Sequence, residues 1–210
     1  VLYGTGSDAL SGADGGFRCR YAAAIGGNLA GIAAAVSAGW KADAAFPQAW
    51  LAPGDANPLF RDDGEAVGEA FEIFVNGLEL LRDVRFGSFL GAGPDDDKPR
   101  SALFWRSAQT VPTMIGNLQA MRDAFAASGL GAALPADLGW LPGSIDFEFG
   151  NALSALEAAE GPIDDVLADP ERRGKLAYAV IVTSSLSDLF GVRLAGGLGL
   201  SAGFSSLDGD

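Results

Sequence analysis

Apolar positions along this chain recur at helical spacing in long stretches, and alternating strand patterns are scarce. The first stretch predicts a helix over 17–41, with Tyr21, Ile25, Leu29, Ile32 and Val36 stepping by four, four, three and four. Gly26, Gly27 and Gly31 weaken it and offer a surface that a neighbouring helix could approach closely. A second helix is expected over 63–86. One face carries Phe71, Phe74, Val75, Leu78 and Leu81, and the opposite stripe reads Glu65, Glu69, Glu72, Asn76, Glu79 and Asp83. The third is expected over 100–128 with a kink at Pro112, and the fourth over 144–160 with Ser144 as N-cap and Phe147, Leu153 and Leu156 among its apolar positions. Asp169 followed by Pro170 opens a fifth, running to about 194.

Between these elements lie turn formers. Residues 5–16 read as a loop, as do 91–97, where Asp96 or Asp97 is placed to cap the third helix. Pro47, Pro53, Gly54, Asn57 and Pro58 punctuate a connection whose Phe46, Trp50, Leu51 and Phe60 predict a loop packed onto the body. Residues 129–143 form a loop holding Trp140, and the glycine-rich tail 196–210 is irregular. The fold class is therefore all-α, a helical bundle of about five long helices in one main domain.

Composition narrows the function. The 210 residues carry 14 basic and 27 acidic side chains, net −13, which disfavours nucleic acid and anionic membrane surfaces as partners. One cysteine cannot form an internal disulfide, and the lack of histidine removes Ser-His-Asp, Cys-His and the usual zinc ligand sets. Uninterrupted apolar runs such as 22–25 and 177–182 fall short of the ~20 residues a membrane span needs, so no transmembrane segment is expected.

Several blocks then carry a resemblance. They are Phe17-Arg18-Cys19-Arg20-Tyr21-Ala22-Ala23-Ala24-Ile25, Trp50-Leu51-Ala52-Pro53-Gly54 with Asn57-Pro58-Leu59, and Gly77-Leu78-Glu79 leading to Arg82-Asp83. Phe104-Trp105-Arg106-Ser107, Ile145-Asp146-Phe147 and the ending from Gly199 through Gly203-Phe204 to Leu207-Asp208-Gly209-Asp210 complete the set. Together they resemble the imelysin-like family of bacterial exported proteins and lipoproteins, also called the M75 peptidase family. The resemblance implies an all-α protein of two helical lobes, in the periplasm or anchored to the envelope and linked to iron acquisition. Its hallmark is Gly-x-His-x-x-Glu before an apolar helix end. Val1-Leu2-Tyr3-Gly4 matches that end, which puts the motif glutamate two residues before Val1 and leaves no metal ligand to carry over. Residues 1–16 then read as the end of an N-terminal lobe with its connecting loop, and 17–210 as the C-terminal helical-bundle lobe. The partner implied is the N-terminal lobe of the same protein, joined or nicked. The cofactor implied is a divalent or iron cation in the full-length protein.

Among the residues themselves, Arg82 and Arg85 continue the apolar line of Phe71, Val75 and Leu78 and are expected to point inward. Arg18 and Arg20 open the first predicted helix, and Arg106 follows Phe104-Trp105. Inward arginines need acidic partners, for which Glu79, Asp83 and Asp146 are candidates. The cleft candidates for an anionic or chelated ligand are thus Arg18, Arg20, Tyr21, Glu79, Arg82, Arg85, Arg106 and Ser107, against a structural reading in which the same groups fasten helices together. The acidic stripe and the pairs Glu69/Glu72 and Glu157/Glu160 suit a hard cation in type but read first as wet helix faces. Cys19 reads as a small buried residue. Three functions are compatible with these residues: a non-catalytic binding or accessory protein for iron or metal uptake, a metallopeptidase whose site lies before Val1, and a structural or interaction module of the envelope.

Overall fold

The computed structural model describes residues 15–200. The expected helix end at Val1–Gly4, the loop 5–14 and the closing Asp208 and Asp210 lie outside them. All regular structure among the described residues is helical: α1 (Gly15–Gly39), α2 (Ala45–Leu51), α3 (Asp63–Glu79), α4 (Thr110–Ser128), α5 (Leu141–Glu157), α6 (Ile163–Ala168) and α7 (Pro170–Asp188). Helices α3 and α7 each run on into a π-helical turn, Leu80–Phe86 and Leu189–Leu194. The described residues divide into two compact units, 15–66 and 67–200, with the division falling inside α3.

In the first unit, α1 departs from its expected role. Its apolar positions from Phe17 to Val36 are between 46% and 63% exposed, and nothing lies within 4 Å of where a Cβ would stand on Gly26, Gly27 or Gly31. Among the described residues, the close helix approach those glycines permit is not made. By length and composition alone, α1 and the continuous Pro170–Gly197 segment are each long and apolar enough to cross a membrane, and 39% of the latter's most apolar window is buried. Counting uninterrupted runs overlooks both, because the apolar stretch of α1 is interrupted by glycines and Asn28, and that of the second by Thr183, Ser184, Ser185, Ser187 and Asp188. The aromatic connection is not wholly a loop. It contains α2, and Trp40, Phe46, Trp50 and Phe60 form a chain of rings with centroids 5.0–6.1 Å apart. Asn57 closes it: Nδ2 donates to the carbonyls of Ala49 and Ala52, and Oδ1 accepts from the amides of Leu59 and Phe60.

The second unit holds the core. Helix α5 packs against both α4 and α7, and residues from α3, α4, α5 and α7 share one buried cluster. Phe190, fully buried, stacks on Phe74 at 4.8 Å and meets Phe125, Phe149 and Phe71 at 5.2, 6.0 and 6.2 Å. One ring thereby ties the α7 extension to three other helices, in the edge-to-face and offset geometries that aromatic quadrupoles favour.

Helix starts differ from expectation in two places. The helix expected from residue 100 begins at Thr110, because Phe104 (φ 62°) and Ala108 (φ 54°) adopt left-handed conformations that no continuing helix allows. Short 3-10 turns at Pro99–Ser101 and Trp105–Ser107 fill the gap. Pro112 then sits in the first turn of α4, where its missing N–H removes no helical bond. Helix α5 starts at Leu141 rather than Ser144, with Pro142 in its first turn and Trp140 at the cap position. The Asp169–Pro170 start stands as read: Asp169 Oδ1 accepts from the amides of Glu171 and Arg172 at 2.9 and 3.2 Å.

The loop 91–97 is held from α7 rather than by capping its own helix. Asp97 accepts from the Gly91 amide at 2.8 Å and from Arg173 Nε and Nη2 at 2.7 and 3.0 Å, while Arg173 also donates to the Gly91 carbonyl at 2.9 Å. The two charged side chains are 13% and 6% exposed, so this pair is barely screened by solvent. Gly91 is obligatory there, since a Cβ would stand 2.4 Å from the Asp96 Cβ. Two substitutions report on these anchors. Phe190→Ala should cost about 3–5 kcal/mol in urea unfolding because four rings lose their common neighbour. Asp97→Asn should cost about 2 kcal/mol, leaving Arg173 charged and under-satisfied.

Candidate functional site

The stretch that positions the arginines is the π-helical turn after α3. Here the Gly87 amide donates to the Arg82 carbonyl, five residues back, at 3.1 Å. That wider register changes which side chains face the core. Leu78, Leu81 and Phe86 are buried, whereas Arg82 and Arg85 are half-buried at the margin rather than directed into the interior. The expectation of inward arginines is corrected accordingly: a strict three-four spacing carries them inward, and the five-residue step puts Phe86 there instead. Gly87 permits the turn, because a Cβ would meet the Asp83 carbonyl oxygen at 2.3 Å.

Arg82 binds its neighbour Asp83 twice, Nε to Oδ1 at 2.7 Å and Nη2 to Oδ2 at 2.6 Å. That hydrogen-bonded pairing raises the Arg82 pKa, with Glu79 and Asp188 adding attraction, and holds the Asp83 carboxyl below its ordinary value. Beside the pair opens a groove of about 500 Å³, walled by Phe86, Leu90, Ala177 and Val180 and floored by Gly87 and Gly91. One end is charged and the rest apolar.

On the other side of the turn, Arg85 faces Leu103, Phe104 and the Thr110–Asn117 face of α4, and its Nε is buried without a hydrogen-bond partner among the described residues. Arg106 lies over the Trp105 ring at 4.4 Å, with Arg100 at 5.9 Å from the same ring. Ser107 Oγ donates to the Phe104 carbonyl at 3.0 Å, inside its own loop. Arg82, Arg85, Arg106, Ser107 and Glu79 therefore belong to the second unit. Arg18, Arg20 and Tyr21 belong to the first, on α1, where Tyr21 stacks on Phe17 at 6.2 Å. Of the proposed acidic partners, Asp83 pairs with Arg82, but Asp146 pairs with Arg122 at 2.7 Å. Cys19 is exposed, contrary to expectation, because it shares α1's open surface. The Arg173–Asp97 clamp was not legible in the sequence, since its partners lie 76 positions apart.

Among the described residues, no three acidic or cysteine side chains converge as metal ligands. Glu69 is exposed and Glu72 half-buried on a wet face of α3, while Glu157 at the end of α5 and Glu160 beyond it are both exposed. These residues do not fit a resident cation.

The described residues form an all-α bundle with an arginine-bearing groove beside a π-helical turn. Its family is specific: the model of the imelysin peptidases, M75, matches residues 1–189, and the chain belongs to that family. No curated protein and no solved structure matches it.

The ion pairs set an acid dependence. Hydrogen bonds from Arg82, from Arg122 and from the Arg172 amide hold Asp83, Asp146 and Asp169 below the ordinary 3.8. Their folded pKa values are depressed, so their stabilisation is full above the unfolded value and is lost as pH falls through the folded ones. Urea midpoints should be flat from pH 7 to 5 and decline below about pH 4.

Proposed function

We propose that this imelysin-family chain is a non-catalytic binding protein of the periplasm or cell envelope, an accessory to iron or metal uptake working with the N-terminal lobe of the same protein. The observation that supports this reading is the Arg82–Asp83 groove. Its guanidinium offers directed donors to an anion, its apolar wall excludes water from one side, and its volume suits a small chelate rather than a bare ion. In this reading the metal is cargo, carried inside an anionic chelator, and Asp83 holds Arg82 in place until the ligand competes for it. The peptidase reading has no support among these residues: the chain has no histidine to ligate zinc.

Equilibrium dialysis with ferric citrate tests the proposal. Saturable binding is expected, and Arg82→Gln should weaken it by about tenfold or more, the loss of a charge-assisted bidentate contact. Absence of saturable binding overturns the proposal, as does binding indifferent to Arg82→Gln. Cleavage of an unstructured protein such as casein by the same sample, suppressed by a chelator, would favour the peptidase reading instead.

A further inference from the structure

A second place in this unit is built to receive a ligand, and it stands independently of the groove. Arg85 Nε is buried with no hydrogen-bond partner among the described residues, and it borders a chamber of only about 10 Å³, the room of one water-sized sphere. A buried donor left unpaired is costly, and this one belongs to a cation with no ion-pair partner within 4 Å among the described residues. The other polar lining comes from one face of α4: Thr110, Thr113 and Asn117. Thr113 Oγ1 donates at 2.6 Å to the Gln109 carbonyl, which already accepts the Thr113 amide at 3.1 Å. That hydroxyl can therefore turn its proton toward a ligand without orphaning its present acceptor. Thr110 Oγ1 is spent differently, on the Leu103 carbonyl at 2.7 Å, where it pins the loop.

The entrance has the opposite character. Leu103 and Phe104 line it, 38% and 51% exposed, and Phe104 is held there by a left-handed backbone that a non-glycine residue rarely adopts. An apolar mouth leading to an unpaired guanidinium donor defines the ligand by chemistry. We propose that this chamber binds a carboxylate carried on a short apolar body. One carboxylate oxygen occupies the chamber and accepts from Arg85 Nε–H, and Thr113 Oγ–H and the Asn117 amide serve the other oxygen. The apolar body lies against Leu103 and Phe104. Such a group is found both in a free monocarboxylic acid and at the C-terminus of a peptide ending in an apolar residue.

The test uses the whole chain and the side-chain Nε–Hε signals of arginine in nitrogen-15 NMR, with the Arg85 signal identified by its loss in Arg85→Lys. Hexanoate should shift that signal saturably, and neutral hexanamide should not. Arg85→Lys, which keeps the charge but removes the Nε–H, should weaken hexanoate binding about tenfold or more while leaving ferric citrate binding at Arg82 unchanged. Phe104→Gly relieves the left-handed strain, so it folds, and it should weaken hexanoate but not acetate. A tripeptide ending in leucine, as free acid and as amide, separates the sources: tighter binding of the free acid than of hexanoate assigns the site to a peptide terminus, and the reverse to a free acid. An unmoved Arg85 signal overturns the proposal. So does hexanoate binding untouched by Arg85→Lys or Phe104→Gly, or a crystal grown with hexanoate that shows only a water beside Nε.

Discussion

The second unit depends on Phe190. Its ring lies where α3, α4 and α5 present Phe71, Phe74, Phe125 and Phe149, and it is fully buried among them. A helix bundle needs its helices fixed in rotation as well as in distance, and smooth aliphatic faces leave rotation weakly specified. Five interlocked rings remove that freedom. Phe190 reaches them from the π-helical turn Leu189–Leu194, so the wide turn that interrupts the α7 ladder also belongs to the core.

The other π-helical turn carries the polar side of the same logic. Its five-residue step spends two inward positions on Leu81 and Phe86 and leaves Arg82 and Arg85 at the margin. The two arginines then meet different fates. Arg82 is satisfied by an adjacent carboxylate at the edge of an open groove, while Arg85 is pressed against a loop whose own polar groups are already engaged. Within four residues this turn holds one guanidinium in an ion pair and another whose Nε has no hydrogen-bond partner among the described residues. The buried Arg173–Asp97 clamp fixes the neighbouring loop beside the groove, because Gly91 belongs to both.

Much of this was legible in the chain. Helical periodicity placed α3, α5 and α7 close to where they lie, the Asp169–Pro170 pair marked a start that the backbone obeys, and the scarcity of alternation excluded sheet. These are local signals, set by 3.6-residue spacing and by which side chains can satisfy the first amides of a helix. The family was legible too, through residue blocks rather than periodicity.

The sequence alone therefore determined the class of structure and the stripe of each helix that is apolar. Only the tertiary structure decided where that stripe is covered and where a helix changes its winding. The apolar stripe of α1 obeys the same rule as that of α5, yet one is open and the other buried apart from Phe147, which is exposed, since burial is a property of neighbours. The left-handed Phe104 and Ala108 replaced positions 100–109 of an expected helix with short turns, and the π-helical step moved Arg82 and Arg85 by a fraction of a turn. Each outcome is settled by packing summed over residues distant in sequence, which is why no window of the chain announces it.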